Sequence, residues 1–351
     1  MIGLIMAGGA GTRFWPLSKK DIAKQYLKIF GEKSLIQLTY ERLRLMLEPS
    51  DIYVVTTIDQ RSQIHDNLPE LKRENIIIEP CAMNTAACIN YSANYLKTRY
   101  RLEETLLIVP ADHLIDNLEE FVFKIEEGKK FAQNGYHVIF GIMPTYPATG
   151  YGYIQAGQPV SPVAFHVEHF KEKPNIETAK SFLENGSFFW NCGIFFWSLQ
   201  TILKSFERYY KEGYDILKQI SDLEYKPENY YKIKALYKKL PRIPVDIAVM
   251  EKTDKRVVLP MKLNWNDVGS YKSMHEVMDK DLNGNYAQQK YIAINSKDNL
   301  LLSKKLVCCI DIDNIVVVET DDVILILPKE SSEKVKEVVE EVKNRNLKSL
   351  L

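Results

Sequence analysis

With 351 residues, the chain is long enough for one large α/β domain and a smaller one, and too long for a single small module. Lysine plus arginine and aspartate plus glutamate both total 46, so there is no net positive field to hold nucleic acid or an anionic membrane, and a polyanionic ligand must meet a local cluster of cations. No apolar run approaches the roughly 20 residues of a membrane span, and the five cysteines, none in a C-x-x-C pair, point to reduced thiols in a cytoplasm rather than to disulfides or zinc.

The first apolar run, Ile2–Ala7, reads as a buried strand and not a signal peptide, because it lacks a basic start and passes at once into glycines and Arg13. Similar short runs recur at 51–56, 76–79, 106–109 and 137–141. Between them, 34–46, 85–100 and 118–134 carry apolar residues at three- and four-residue steps, the period of amphipathic helices. This alternation predicts an α/β fold, a Rossmann-like, mainly parallel sheet flanked by helices, with ligands at the carboxyl edges of the strands. From about Thr145 to Trp197 the pattern turns aromatic and mixed, which predicts an insertion covering the sheet edge and gripping a second substrate. Asp279–Asn285, with Asn283-Gly284-Asn285 as turn chemistry, marks a boundary, so the predicted domains are 1–280 and 281–351. Past it, short runs at 291–295, 300–302, 307–312, 315–319 and 323–327 predict a small β domain, for which a short left-handed β-helix is one form. Val335, Val338, Val339 and Val342 then share one face of a terminal helix, expected to be capped by Ser331 or Ser332 and used for docking or dimer packing.

Gly8-Gly9-Ala10-Gly11-Thr12-Arg13 follows the first strand, where its glycines can offer successive backbone N–H groups to a bound anion or base with no Cβ in the way. A dinucleotide G-x-G-x-x-G starting at Gly9 would need glycine where Phe14 stands, and there is no Gly-Lys-Ser/Thr. Hydride transfer on a nicotinamide cofactor and P-loop hydrolysis therefore lose their main support. Arg13 and Lys24 add cationic donors suited to triphosphate oxygens. Asp112 ends an apolar run at the sheet edge, and its carboxylate is a hard oxygen ligand suited to Mg²⁺. Taken alone, an aspartate there reads better as a turn or cap residue than as a metal ligand.

The stretch from Leu4 to Ser18, followed by Lys24-Gln25, resembles the opening signature of the sugar-phosphate nucleotidyltransferases, and among them it is similar to the mannose-1-phosphate guanylyltransferases. The resemblance continues in order through Glu79-Pro80, Asn84-Thr85-Ala86, Pro110-Ala111-Asp112-His113, Gly150-Tyr151-Gly152-Tyr153, Glu172-Lys173-Pro174, Trp190-Asn191-Cys192-Gly193, Val245-Asp246-Ile247 and Trp265-Asn266-Asp267-Val268-Gly269. It implies guanylyl transfer from GTP to α-D-mannose 1-phosphate, with a sugar-phosphate oxygen attacking the α-phosphorus in line and pyrophosphate leaving. A phosphate monoester, with its second pKa near ~6, is already largely ionised at neutral pH, so no protein base is required.

The resemblance further implies a catalytic group of Arg13, Lys24, Asp112, Lys173 and Asp267, with Asp112 and Asp267 as the Mg²⁺ ligands. Ala7, Gly8, Gly9, Gly11, Thr12, Glu79, Asn84 and Thr85 are the expected nucleotide contacts, and Gly152, Glu172 and Asn191 the expected sugar contacts. GTP and mannose 1-phosphate are the expected partners, with no nucleic acid or membrane, in a homodimer. Two departures stand out: Ala23 replaces the family's usual proline before Lys24, and Met83 its usual arginine before Asn84. The chain stops soon after the small β domain, without the fused isomerase domain of longer relatives, so the transferase activity alone is expected. Asp246 lies in a matching motif, but its carboxylate has no role legible in the sequence. Two other readings stay open: a different triphosphate and sugar 1-phosphate pair, and a non-catalytic regulatory protein that binds nucleotide sugars.

Overall fold

A computed structural model describes the chain apart from residues 10, 20–21 and 224–226, so Ala10 of the glycine loop lies outside the described residues. The strands are β1 Ile2–Met6, β2 Ile52–Thr57, β3 Ile76–Glu79, β4 Thr105–Pro110, β5 Leu114–Ile115, β6 His137–Ile142, β7 Tyr153–Ser161, β8 Ala164–Lys171, β9 Phe188–Ser198, β10 Arg256–Met261, β11 Trp265–Asn266, β12 Tyr286–Ala287, β13 Tyr291–Ile294, β14 Leu300–Leu302, β15 Val307–Ile310, β16 Ile315–Glu319 and β17 Ile324–Pro328. Two compact units arise, one from residues 1–8, 39–111 and 115–265, the other from 9–38, 112–114 and 266–351. Among the described residues no helix is long and apolar enough to cross a membrane.

The first unit holds a nine-stranded sheet in the order β3-β2-β1-β4-β9-β6-β10-β8-β7. β3, β2, β1 and β4 are parallel neighbours, with Leu4 level with Tyr53 on one side and Ile108 on the other. Their Val- and Ile-rich runs are buried along nearly their whole length, as strands covered on both faces must be. Leu4, Val55, Ile108, Phe195, Trp197 and Phe206 belong to one buried core. The aromatic stretch does not form a cover over the sheet edge. β9 runs antiparallel between β4 and β6 in the body of the sheet, and β8 and β7 continue it beyond β10. The reason is visible in Phe188–Ser198, whose apolar side chains stand on both faces and leave no polar face to present to water, so the strand is stable only with neighbours on either side.

The second unit contains parallel ladders β12-β14-β16 and β13-β15, with β17 antiparallel on β16. Leu300 sits level with Val316 and Tyr291 with Val307, so each turn of chain returns above the last, the arrangement of a small β-helix. Buried asparagines tie the coils: Asn299 donates its backbone N–H to Asn285 Oδ1 at 3.1 Å, and Ile315 donates to Asn299 Oδ1 at 3.0 Å. The terminal helix Val335–Asn344 buries Val335, Val339 and Val342 in a core shared with Phe14, Trp15, Val268 and Tyr271. Three of the four valines expected on that face are therefore consumed within their own unit, while Val338 stays exposed. Neither Ser331 nor Ser332 caps this helix, because a 3-10 turn over Lys329–Lys334 precedes it and the Ser332 hydroxyl donates to the Lys329 carbonyl.

Candidate active site

In the second unit, the 3-10 turn Lys24–Tyr26 buries its lysine, leaving the side chain 7% exposed. An ammonium taken out of water needs charged or strongly polar partners. Lys24 Nζ has two, Asp112 Oδ2 at 2.7 Å and the Asp267 carbonyl oxygen at 2.5 Å. Burial by itself would raise the pKa of the Asp112 carboxyl, but the Lys24 ammonium, with His113 as a second positive influence, outweighs it and holds the group below the usual aspartate range. Asp112 and Asp267, 155 positions apart in sequence, thus meet through one lysine.

The glycine loop is built against that lysine. Gly11 has φ +61°, and a Cβ there would lie 2.6 Å from Lys24 Cβ and 2.8 Å from its backbone nitrogen, so no larger residue fits without moving the turn. Ser18 Oγ donates to the Gly11 carbonyl at 2.6 Å and Gln25 Nε2 to that of Gly9 at 3.3 Å, which pins the loop. Ala23 has φ −76°, an angle proline itself would adopt, so its substitution leaves the turn that presents Lys24 intact. The loop bearing Asp267 is also constrained: Val268 holds φ +44°, a costly conformation for a β-branched residue, while Gly269 donates its N–H to Asp267 Oδ1 at 3.0 Å. Arg13 is placed differently from Lys24. It is half exposed and pairs with Glu333 at 2.8 Å, a surface contact of the kind a phosphate can displace.

Among the described residues no group of three or more His, Cys, Asp or Glu side chains gathers to hold a metal unaided. The Asp112 and Asp267 carboxylates are oxygen donors of the kind Mg²⁺ takes, with phosphate oxygens and water in its remaining positions, but here Asp267 meets Lys24 with its main-chain carbonyl while its Oδ1 accepts the Gly269 N–H.

In the first unit, Glu79 ends β3, and a Cβ added at Gly8, just past β1, would lie 3.5 Å from Glu79 Oε2. Its buried Oε1 accepts from Tyr237 Oη at 2.8 Å and from the Met83 N–H at 3.2 Å. Burial pushes the carboxyl up to about 7 despite those bonds. Ala7 already donates its N–H to Val55 and accepts from the Thr56 hydroxyl, so its backbone serves the sheet. Asn84, at φ +76°, caps the helix Thr85–Leu96, and Thr85 Oγ1 accepts from the Val245 N–H at 2.8 Å. Met83 is buried, with Arg242 Nε donating to its sulfur at 3.3 Å.

A second cluster of the same unit brings Gly152, Glu172, Lys173 and Asn191 together. Asn191 donates its N–H to the Gly152 carbonyl at 2.8 Å, and Lys173 Nζ pairs with Glu172 Oε1 at 2.6 Å. A Cβ on Gly152 would stand 2.6 Å from Glu172 Oε2 and 3.3 Å from Asn191 Cβ. Since the carboxylate is the mobile end of a side chain, Gly152→Ala is expected to fold with little loss of stability and to displace Glu172. Steady-state kinetics should then show a KM for sugar 1-phosphate raised roughly tenfold, the effect of about one hydrogen bond; an unchanged KM would separate Glu172 from the sugar. Asp246 joins this cluster, its Oδ1 accepting from Asn191 Nδ2 at 2.8 Å. Asp246, Tyr237 and Arg242 are the residues that sequence reasoning did not assign. Only Asp246 carried a signal, its place in a matching motif.

Comparison with known proteins agrees in extent with these motifs. The sequence model of the nucleotidyl transferase family matches residues 2–284, and that of the MannoseP isomerase/GMP-like beta-helix domain matches 289–342. Mannose-1-phosphate guanylyltransferase 2 of Escherichia coli O157:H7 is 35% identical over 98% of this chain and 73% of its own length. Mannose-1-phosphate guanylyltransferase of Salmonella montevideo is 36% identical over 98% and 74%. A crystal structure from Thermus thermophilus, described as a mannose-1-phosphate geranyltransferase, superposes with a TM-score of 0.87 at 28% identity, covering 97% of this chain and 99% of that one. With a family model spanning most of its length and relatives above 30% identity, the chain belongs to the nucleotidyl transferase family, among the mannose-1-phosphate guanylyltransferases.

Proposed function

We propose that the protein transfers a guanylyl group from GTP to α-D-mannose 1-phosphate, releasing pyrophosphate, as a cytoplasmic enzyme. The observation that carries this reading is the Lys24 ammonium shared by Asp112 and the Asp267 carbonyl. A buried cation flanked by two aspartates suits a reaction whose difficulty is charge on phosphoryl oxygens and not proton removal. Lys24 would stabilise charge developing at the α-phosphate, Arg13 would leave Glu333 for the outgoing pyrophosphate, and Lys173 would hold the attacking sugar phosphate. Asp112 and Asp267 would hold Mg²⁺, which supplies Lewis-acid stabilisation of the phosphates. Glu172 can accept from two sugar hydroxyls, and Asn191 can both donate and accept.

The choice of GTP is supported by Glu79. A carboxylate is an acceptor only, and guanine presents N1–H and N2–H₂ side by side as donors, whereas adenine offers no such pair. A panel of four triphosphates against sugar 1-phosphates, scored by pyrophosphate release with and without Mg²⁺, tests the reading. GTP with mannose 1-phosphate is expected to exceed the other pairs by about 10²-fold or more in kcat/KM, since a site built around buried polar groups rejects ligands that leave them unpaired. Turnover that favours ATP or a pyrimidine nucleotide would reassign Glu79. No metal-dependent turnover with any pair would leave a nucleotide-sugar-binding protein.

A further inference from the structure

Asp246 opens a π-helical turn, Asp246–Met250, closed by its own i→i+5 bond and preceded by a segment held to the start of the Thr85–Leu96 helix. Val245 donates its N–H to Thr85 Oγ1 at 2.8 Å, Ala86 donates to the Ile243 carbonyl at 3.3 Å, and the Asp246 carbonyl accepts from the Glu251 N–H at 2.8 Å. The carboxyl that this turn presents is buried, and its Oδ1 takes the Asn191 side-chain N–H at 2.8 Å. Asn191 Oδ1 in turn accepts the Gly193 N–H at 3.1 Å, which only an oxygen can do. Both ends of the Asn191 amide are thereby assigned, leaving one N–H and one lone pair for a ligand.

We propose that Asp246 is a positioning residue for the sugar 1-phosphate, acting by holding the Asn191 amide in the single orientation that presents its remaining donor and acceptor to sugar hydroxyls. This rests on the assignment of Asn191 to the sugar made above. Burial, together with the Glu172 carboxylate, raises the Asp246 pKa to about 7, against the opposing influence of a backbone hydrogen bond, the Asn191 hydrogen bond and, least, Lys173. The Val245–Thr85 hydrogen bond also ties the segment that carries Asp246 to the loop expected to meet the nucleotide.

The test is steady-state kinetics of the full chain with GTP and mannose 1-phosphate for Asn191→Ala, Asp246→Ala, Asp246→Asn and the double alanine variant, with thermal unfolding alongside. Asp246→Ala is expected to raise the KM for mannose 1-phosphate roughly tenfold while that for GTP stays within about twofold. Asp246→Asn keeps an acceptor oxygen and should return the sugar KM to within about threefold of the parent. The double variant should be no worse than Asn191→Ala, because removing the held group makes the holder irrelevant. If Asp246→Ala does not fold, Asp246→Leu fills the volume without an acceptor and carries the same expectation. Additive losses, a failure of Asp246→Asn to rescue, or equal rises in both KM values would overturn the proposal while leaving Asn191 on the sugar. An unchanged sugar KM in Asn191→Ala would overturn the proposal together with the assignment beneath it.

Discussion

Lys24→Met should lower kcat/KM by about 10²–10³-fold, the usual consequence of removing one preorganised donor from a site where charge develops, and should do so in a protein that still folds. The folding half of this expectation comes from the asymmetry of the pair. Lys24 is buried and Asp112 about one-third exposed, at 7% and 31% of the side chain. Without the ammonium, the Asp112 carboxylate can turn to water, and its pKa should move up from its present lowered position. The reverse change is worse: Asp112→Ala leaves a buried ammonium with the Asp267 carbonyl and removes the carboxylate that balances its charge, a deletion of the kind that costs about 3–5 kcal/mol. Lys24→Arg should not rescue, since a planar fork cannot replace a compact ammonium held between the Asp112 carboxylate and the Asp267 carbonyl. Asp112→Asn, which keeps the shape, should raise the Mg²⁺ concentration for half-maximal activity by roughly 10–100-fold, the scale on which altered coordination weakens metal sites. Pyrophosphate release and thermal unfolding measured together check all four variants. Turnover of Lys24→Met within tenfold of the parent would remove Lys24 from the reaction.

Much of this site could be read from the chain because each contributing residue stands in a local sequence context with its own signal. Gly11 and Lys24 are 13 positions apart in one loop, Asp112 follows an apolar strand, and Asp267 sits in a short motif that ends on a glycine. What periodicity could not supply was the position of Phe188–Ser198 in the sheet. A run that is apolar on both faces says only that it is buried, not which strands flank it, and strand order is fixed by contacts distant in sequence. The cap of the terminal helix was missed for a local reason: a serine hydroxyl can close a 3-10 turn as readily as it can cap an α-helix, and Ser332 does the former. The Asp246–Asn191 bond spans 55 positions and neither partner is unusual by itself, so only the folded chain reveals that the two side chains meet.

If Glu79 accepts from the base as proposed, one proton ties stability and substrate selection together with opposite signs. Its carboxyl titrates near 7 in the folded chain against an ordinary value of 4.5, because burial disfavours the charge more than Tyr237, Met83 and Cys88 can offset. The folded state therefore binds this proton more tightly than the unfolded state does. Its contribution to stability is fully present below about pH 4.5 and is lost as pH rises through about 7. At about 1.4 kcal/mol per pH unit, the whole displacement is worth on the order of 3 kcal/mol. Glu79→Gln cannot titrate, so the parent should lose roughly that much stability relative to the variant between about pH 4.5 and 8, measured by denaturant unfolding across the series. The nucleotide demands the reverse. With Oε1 already accepting from Tyr237 and Met83, Oε2 is the oxygen left for the guanine donors, and a proton on it would turn that acceptor into a donor facing donors. The KM for GTP should therefore fall by roughly tenfold from about pH 6 to pH 8, as the ionised fraction rises through the midpoint, and should be flat in Glu79→Gln. GTP binding near pH 7 should also release a proton, visible as a dependence of the calorimetric heat on buffer ionisation enthalpy. A GTP KM that rises with pH in the parent, or a proton taken up on binding, would exclude Glu79 as the acceptor for the base and leave its burial beside Tyr237 as a structural feature of β3.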